Sequence, residues 1–164
     1  MRKIKNTAII VLITALILSL TACGSGGSSE STSTVNNNRK TISAGYNSGF
    51  VILNDGSLWG WGGNMRGQLG TGDDEDRLEP VHILDGVKSV VSGGGVNWVP
   101  YAAHTMAIKE DNSLWGWGGN IYNHVANVED YKLVSPVHIM DDVISVAVGQ
   151  FHTLAVTSDG VMWG

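Results

Sequence analysis

An eight-residue segment occurs twice in this chain, as Ser57-Leu-Trp-Gly-Trp-Gly-Gly-Asn64 and again, unchanged, at positions 113–120. A third copy begins at Val161-Met-Trp-Gly164. Self-similarity at a spacing of about fifty residues is typical of structural units that stack side by side and bury their faces against their neighbours. The sequence therefore predicts a repeat protein.

Two sets of landmarks set the length of the repeat. Pro80-Val-His-Ile83 returns as Pro136-Val-His-Ile139, whereas His104-Thr105 returns after a shorter interval as His152-Thr153. The shorter interval gives the basic unit, and the second copy exceeds it by an eight-residue insertion within residues 94–103. Since the flanking register is intact, the insertion is predicted to lie on a loop.

Each unit is predicted to contain four short antiparallel strands. Phe50–Leu53 and Ser57–Trp61 flank a hairpin turn in which Gly56 supplies a positive φ, and Asn112 and Gly160 take the same place in the other copies. A third strand is predicted to start at Pro80, where the missing N–H does least harm, and Ser89–Val91 forms the fourth. Short strands rich in glycine and marked by tryptophan are typical of propeller blades, so the fold class is all-β.

At these positions the chain resembles the regulator-of-chromosome-condensation repeat. The residues that carry the resemblance are Gly45, Asp55-Gly56, Trp61-Gly-Gly-Asn64, Gly67-Gln-Leu-Gly-Thr-Gly72 and Gly149-Gln-Phe-His-Thr-Leu-Ala-Val156. The resemblance covers residues 41–164 and implies antiparallel blades of the seven-bladed propeller type, with about two and a half repeats here and the third incomplete. Ser48 departs from the usual His, and Ile121–Ala126 replaces Gln-Leu-Gly, which leaves the role of that second loop open.

The number of repeats leaves three alternatives open. The chain is the front portion of a longer propeller, or a degenerate remnant, or one of several copies that associate to close a ring. We expect the first, because an unpaired apolar strand edge recruits further strands.

Residues 1–40 predict export and a lipid anchor. Met1–Lys5 is basic, and Thr7–Leu20 is a small-to-apolar run too short to span a bilayer comfortably. The following Leu20-Thr-Ala-Cys23 resembles the bacterial lipobox, whose cysteine carries diacylglycerol. We therefore expect a signal helix at 1–22, a lipidated Cys23 heading a flexible linker at 23–40, and a repeat domain at 41–164.

This leader also predicts location. The protein is expected on the extracytoplasmic face of the cell membrane, or at the outer membrane if the organism has one. Gly24–Asn38 contains almost nothing that could be buried, so it is predicted to be a tether.

Charge excludes one class of partner. The net charge of −5 becomes −8 once the three basic residues of the leader are removed. Nucleic-acid binding needs clustered Lys and Arg, so no nucleic acid is expected as a partner. The founding member of the repeat family binds chromatin and catalyses nucleotide exchange on a small GTPase. The resemblance implies its fold, but we do not expect either of these activities here.

Candidate catalytic residues are better explained as scaffold. His104 and His152 recur at one repeat position and His82 and His138 at another, which favours hydrogen-bonded strand histidines. Asp73–Asp76 lacks the ligand alternation of a calcium loop and is predicted to be a solvated turn. We expect no catalytic residue, no metal and no cofactor, and hence no enzyme.

Tryptophan placement predicts a contact site. The tryptophans at repeat-equivalent positions are expected to pack between blades: Trp59, Trp61, Trp115, Trp117 and Trp163. Trp98 lies instead in the insertion, together with Tyr101. These two aromatic residues are the candidate contact residues.

The sequence thus predicts a lipid-anchored propeller-type scaffold that binds a protein. A carbohydrate or cell-wall binding module is the alternative, and it would require Trp98 and Tyr101 on an open face. Part of a propeller enzyme is a third hypothesis.

Overall fold

The structure is a computed structural model, and it describes residues 41–95 and 102–164. Cys23, Trp98 and Tyr101 lie outside these residues, as do the leader and the linker. Within the described ranges, no helix is long and apolar enough to cross a membrane.

The described residues form three antiparallel sheets. The first sheet contains β1 (Thr41–Ala44), β2 (Ser48–Ile52), β3 (Leu58–Gly62) and β4 (Arg77–Leu84). The second contains β5 (Val87–Gly93), β6 (His104–Lys109), β7 (Leu114–Gly119) and β8 (Lys132–Met140). The third contains β9 (Val143–Val148), β10 (Thr153–Thr157) and β11 (Met162–Trp163). In every sheet the strands lie in chain order, so neighbouring strands are joined by hairpins.

Alternation of side chains places the core between the sheets. Phe50 and Ile52 of β2 are buried, as is Leu58 of β3, while Val51 and Trp59, which alternate with them, are partly exposed. Successive strand residues point to opposite faces, so this pattern turns one apolar face inward. The buried cluster continues through the other sheets with Met106, Leu114, Trp117, Val143 and Ala155.

The hairpin turns confirm the predicted backbone. Gly56 and Gly160 both have φ of 81°, and Asn112 has φ of 63°. Beside the first turn an aspartate organises the backbone: the carboxylate of Asp55 accepts from the backbone N–H of Ser57 at 2.9 Å and from its hydroxyl at 2.6 Å. These two hydrogen bonds hold the pKa of Asp55 below its ordinary value.

The predicted start of the third strand was wrong. Pro80 lies inside β4, which already begins at Arg77. β4 is the outer edge of its sheet, and its pairing with β3 shifts register between Gly60 and Gly62, beside the proline. An edge strand with a bulge tolerates a residue without an N–H, which is why the strand continues through Pro80.

Neighbouring sheets are joined through their hairpin turns. The N–H of Val87 donates to the carbonyl of Gly56 and the N–H of Val143 to that of Asn112, each linking a turn to the first strand of the next sheet. β5 also packs against β1 and β9. The sheets therefore follow one another side by side along the repeat domain.

Candidate functional site

The long connections lie together at one end of the strands. We call this the loop end, defined by residues 45–47, 63–76, 94–95, 102–103, 120–131 and 149–152. The opposite end carries short turns such as 53–57 and 110–113, and we call it the turn end. Rigid strands that present long loops at one end commonly form a binding surface.

The 63–76 loop is organised by one buried asparagine. The side-chain oxygen of Asn64 accepts from the N–H of Leu69 at 2.9 Å, and its amide group donates to the Thr71 hydroxyl and the Asp73 carbonyl, both at 3.0 Å. Asn64 is fully buried, and so is Leu69. A buried amide with its partners satisfied fixes a loop without regular structure.

The 120–131 loop repeats this arrangement in spite of its different sequence. Asn120 accepts from the N–H of Val125 at 3.1 Å and donates to the carbonyls of Ala126 and Asp130 at 3.0 Å. Val125 is fully buried, as Leu69 is. Asn123 has a positive φ of 54°, and Gly67 at the equivalent position has a φ of 71°. The departure from Gln-Leu-Gly therefore leaves the hydrogen bonds around the buried asparagine in place.

Both loops connect their sheet to the next one through a backbone carbonyl. The Thr105 hydroxyl donates to the carbonyl of Gln68 at 2.9 Å, and the Thr153 hydroxyl donates to the carbonyl of His124 at 2.8 Å. In the register of the repeat, Gln68 and His124 occupy the same position. Because the acceptor belongs to the backbone, both Gln and His at this position make the same connection.

His104 lies at the boundary between the second and third sheets and is fully buried. Its Nδ1 donates to the carbonyl of Ala102 at 2.7 Å, and its Nε2 lies 3.0 Å from the Thr153 hydroxyl. Burial lowers the pKa of His104 to about 4, so the ring is neutral near pH 7. Thr153 then has one hydroxyl proton for two acceptors, the His104 ring and the His124 carbonyl.

A second histidine packs on the first. The ring of His124 lies edge-on to His104 with centroids 4.5 Å apart, and it is 7% exposed. Its ring nitrogens lie toward the backbone of Ala102 and Gly119 without reaching hydrogen-bond geometry. Burial lowers the pKa of this ring too.

Three of the four recurring histidines make the hydrogen bonds that their repetition predicted. His104 is the hydrogen-bonded strand histidine that repetition predicted, whereas His152 is exposed just before β10. His82 and His138 bind Asp85 and Asp141 at 2.7 and 2.9 Å and pack edge-on against Trp59 and Trp115. Among the described residues, no three His, Cys, Asp or Glu side chains are placed to hold a metal ion.

Trp117 confirms the predicted packing of tryptophan between sheets, and Trp115 and Trp163 pack against the buried cluster. The indole of Trp117 is fully buried and donates across the boundary to the carbonyl of Gln68 at 2.8 Å. Trp59 and Trp115 instead donate to Ser57 and Ser113 of their own hairpins. Trp115 and Trp117 alternate with a glycine and so share one face of β7, but only Trp117 is near the loop end, where the 63–76 loop reaches across.

The acidic run at 73–76 is a hydrogen-bonded turn. Asp73 pairs with Arg77 at 2.6 Å, and this guanidinium is the main reason that the pKa of Asp73 is lowered. Asp74 pairs with Lys132 of the second sheet, and Asp76 accepts from the N–H of Asn64 at 2.7 Å. These carboxylates are therefore used to fix the loop.

Large apolar side chains are exposed at the loop end. Met65 and Tyr122 are each 64% exposed, and Tyr131 is 60% exposed. Tyr122 also contacts Phe151 edge-on, with centroids 5.4 Å apart. Exposed aromatic residues and methionine above a rigid scaffold are typical of a protein contact surface.

The insertion starts and ends at this surface. Gly95 lies against the ring of Tyr46, and Ala102 is buried next to His104. Trp98 and Tyr101 lie outside the described residues, so their role in contact stays a prediction. Sequence reasoning missed Tyr122 and Phe151, although the repeat register places Tyr122 in the loop equivalent to 63–76 and could have suggested it.

Family models match the first part of the repeat region. Two models described as the regulator of chromosome condensation (RCC1) repeat match residues 55–97 and 40–68. The ultraviolet-B receptor UVR8 of Arabidopsis thaliana is 36% identical over 143 residues, covering 81% of this chain and 31% of the receptor. The E3 ubiquitin-protein ligase HERC2 of Mus musculus is 31% identical over 134 residues, covering 75% of this chain and 3% of the ligase. The chain thus spans less than a third of either relative.

Solved structures share the arrangement of strands. Prp20p from Saccharomyces cerevisiae matches with a TM-score of 0.63 at 25% identity, over 77% of this chain and 33% of that one. Human WBSCR16 matches with a TM-score of 0.63 at 21% identity, over 76% of this chain and 32% of that one, and supports the fold only. The repeat models, the relatives and the four-stranded antiparallel sheets agree, and the chain belongs to the family of proteins built from regulator of chromosome condensation repeats.

Proposed function

We propose that this protein is a propeller-type scaffold that binds another protein through its loop end and is held at the extracytoplasmic face of the membrane by lipid on Cys23. The observation that carries the binding proposal is the exposure of Met65, Tyr122 and Tyr131 on loops fixed by buried asparagines. A pre-organised loop loses little entropy when it binds, so such side chains contribute most of their contact energy to affinity.

Relatives support a protein as the partner class. One solved relative is yeast RCC1 (Prp20) with Kap60 bound, and another is described with the binding of Prp20p to Gsp1p and histones. The net charge of −5 gives this chain no general attraction for nucleic acid, so we propose no nucleic-acid partner. HERC2 is named as a ligase, but the chain spans 3% of it and we propose no enzymatic activity.

Site-specific photo-crosslinking in the native envelope tests the binding surface. A photo-reactive residue in place of Met65 or Tyr131 should give a discrete crosslinked protein. The same residue in place of Glu110, exposed at the turn end, is the matched control and should give none. Equal crosslinking at both ends would contradict the proposal, and so would its absence at the loop end in cells that contain the folded protein.

A carbohydrate partner is the second candidate function, and it is carried by the two aromatic residues of the insertion. Sugar rings stack on exposed aromatic faces, so soluble cell-wall glycans should quench tryptophan fluorescence if Trp98 binds them. Trp98→Phe should remove that quenching, whereas Trp117→Phe should not, because Trp117 is fully buried. Quenching with this dependence would replace the protein-binding proposal.

A further inference from the structure

Gln68 is a buried residue with one polar group left over. It is 3% exposed, and its backbone carbonyl accepts from Thr105 and Trp117 of the second sheet. Its side-chain oxygen Oε1 accepts from the backbone N–H of Arg66 at 2.9 Å, which fixes the other end of the amide as the nitrogen. Within the described part of the chain, this nitrogen, Nε2, donates to no acceptor. A buried donor without an acceptor destabilises the protein, so a ligand that supplies an oxygen is favoured here.

The nitrogen lies at the wall of a small cavity in the loop end. The cavity has a volume of about 140 Å³, and its walls come from the loops that follow β1 and β3, including Gly63, Arg66, Gln68 and Asp76. Nε2 of Gln68 lies 3.8 Å from the position that a Cβ on Gly63 would take, which places it on the wall next to that glycine. A cavity of this size holds a single side chain or a small organic group.

The cavity walls carry a donor, an acceptor and one charge of each sign. Gln68 supplies the donor, and Arg66 supplies a positive charge. Asp76 supplies a carboxylate whose Oδ1 accepts from the N–H of Asn64 at 2.7 Å, which leaves Oδ2 as the acceptor for a ligand. A bound carboxylate would lack a donor for Asp76 and would be repelled by it. A bound ammonium would lack an acceptor for Gln68 and would be repelled by Arg66.

We propose that this cavity binds the carboxamide of an asparagine or glutamine side chain of the partner protein, with Nε2 of Gln68 donating to the carboxamide oxygen and Oδ2 of Asp76 accepting from its nitrogen. Asparagine and glutamine are the uncharged side chains that combine an acceptor oxygen with a two-proton NH₂ donor. The proposal rests on the proposed function for its choice of a protein as partner, but the chemistry of the cavity can be tested without that partner.

Three small molecules with the same carbon chain test the cavity in the full chain: butyramide, butyrate and butylammonium. Butyramide at millimolar concentration should shift the side-chain NH₂ signals of Gln68 in nuclear magnetic resonance spectra, and the shift should saturate. Butyrate and butylammonium should each bind at least about tenfold more weakly, because each lacks one hydrogen-bonding group and is repelled by one charge.

Asp76→Asn should reverse the preference between amide and carboxylate. The new side chain keeps an oxygen for the N–H of Asn64 and replaces the second oxygen by an NH₂ donor, so the cavity loses its acceptor and its negative charge. Butyramide should then bind at least about tenfold more weakly, and butyrate should bind more tightly than it does to the parent protein. Glu75→Gln removes a neighbouring exposed carboxylate that does not line the cavity, so it is the matched control and should leave the preference for butyramide unchanged.

Gln68→Glu tests the donor separately. The glutamate keeps an oxygen for the N–H of Arg66 and removes the amide nitrogen, so butyramide binding should fall. Gln150→Glu adds the same charge at an exposed position of the loop end outside the cavity, and this control should bind butyramide as the parent protein does.

Absence of saturable butyramide shifts would overturn the proposal, and so would equal binding of butyramide and butyrate to the parent protein. The partner is tested by crosslinking from Tyr131, which does not line the cavity, and Asp76→Asn should reduce that crosslink. An undiminished crosslink in Asp76→Asn would overturn the proposal and leave the proposed function intact. Butyramide binding by a protein that gives no crosslink would instead support the amide chemistry of the cavity and contradict the proposed function.

Discussion

At the scale of single residues, the turn at Gly56 shows how backbone conformation restricts side-chain choice. Its φ of 81° lies in the left-handed region, and an added Cβ would come within 3.4 Å of Gly86. Gly56→Val should therefore cost about 1–3 kcal/mol of stability through backbone strain, measured by urea unfolding.

Two variants control this prediction. Gly56→Asn should cost less, because Asn112 adopts φ of 63° at the same repeat position. Asn112→Gly should be neutral or mildly stabilising. Equal unfolding midpoints for Gly56→Val and the parent protein would show that the hairpin turn is not formed as described.

His104 predicts a dependence of stability on pH. Its folded pKa of about 4 lies below the unfolded value of 6.5, so the unfolded chain takes up a proton first as pH falls. The neutral His104 ring makes its full contribution to the free energy of unfolding above pH 6.5. That free energy should fall by up to roughly 3 kcal/mol as the pH is lowered from 6.5 to about 4. His124 shifts in the same direction and should add to the loss.

Comparison with His104→Gln isolates this contribution from carboxylates that titrate at lower pH. The difference in unfolding free energy between the two proteins should shrink steadily from pH 7 to pH 4.5. Parallel stability curves over that range would mean that His104 is not buried in the neutral form.

At the scale of elements, adjacent sheets are connected by a side chain that binds a backbone carbonyl. Thr105→Val removes the hydroxyl that donates to Gln68 and leaves a buried acceptor with one partner fewer, so it should cost about 1–2 kcal/mol. Gln68→His should cost less, because His124 holds the same position at the next boundary. Thermal unfolding of the three proteins checks this order, and a larger loss for Gln68→His would show that the side chain, rather than the carbonyl, makes the connection.

At the scale of the whole molecule, the proposed lipid anchor predicts where the protein is found. Cys23→Ala should move it from the membrane fraction to the periplasm or medium, because Cys23 is the one cysteine in the sequence that could carry the lipid. Ser25→Ala, close by in the linker, should remain in the membrane fraction. Membrane association that survives Cys23→Ala would refute the anchor.

The sequence by itself determined the repeat, its division into short strands and its hairpin turns, although it misplaced the start of the strand that contains Pro80. Periodic glycine and tryptophan identify four strands per unit, and Gly56, Asn112 and Gly160 mark the turns, because positive φ admits few residue types. These features are local: neighbours along the chain decide them. The same reasoning assigned a structural role to the recurring histidines, which His104 confirms.

Only the tertiary structure decided which surfaces meet. Trp115 and Trp117 share a face of β7, and Trp117 alone crosses to the neighbouring sheet because the loop that carries Gln68 packs over its end of the strand. The shared role of Gln68 and His124 as acceptors was hidden in the sequence because the accepting group is a backbone carbonyl, which every residue has. Tyr122 and Phe151 likewise lie far apart in sequence, and their contact follows from packing and not from any pattern along the chain.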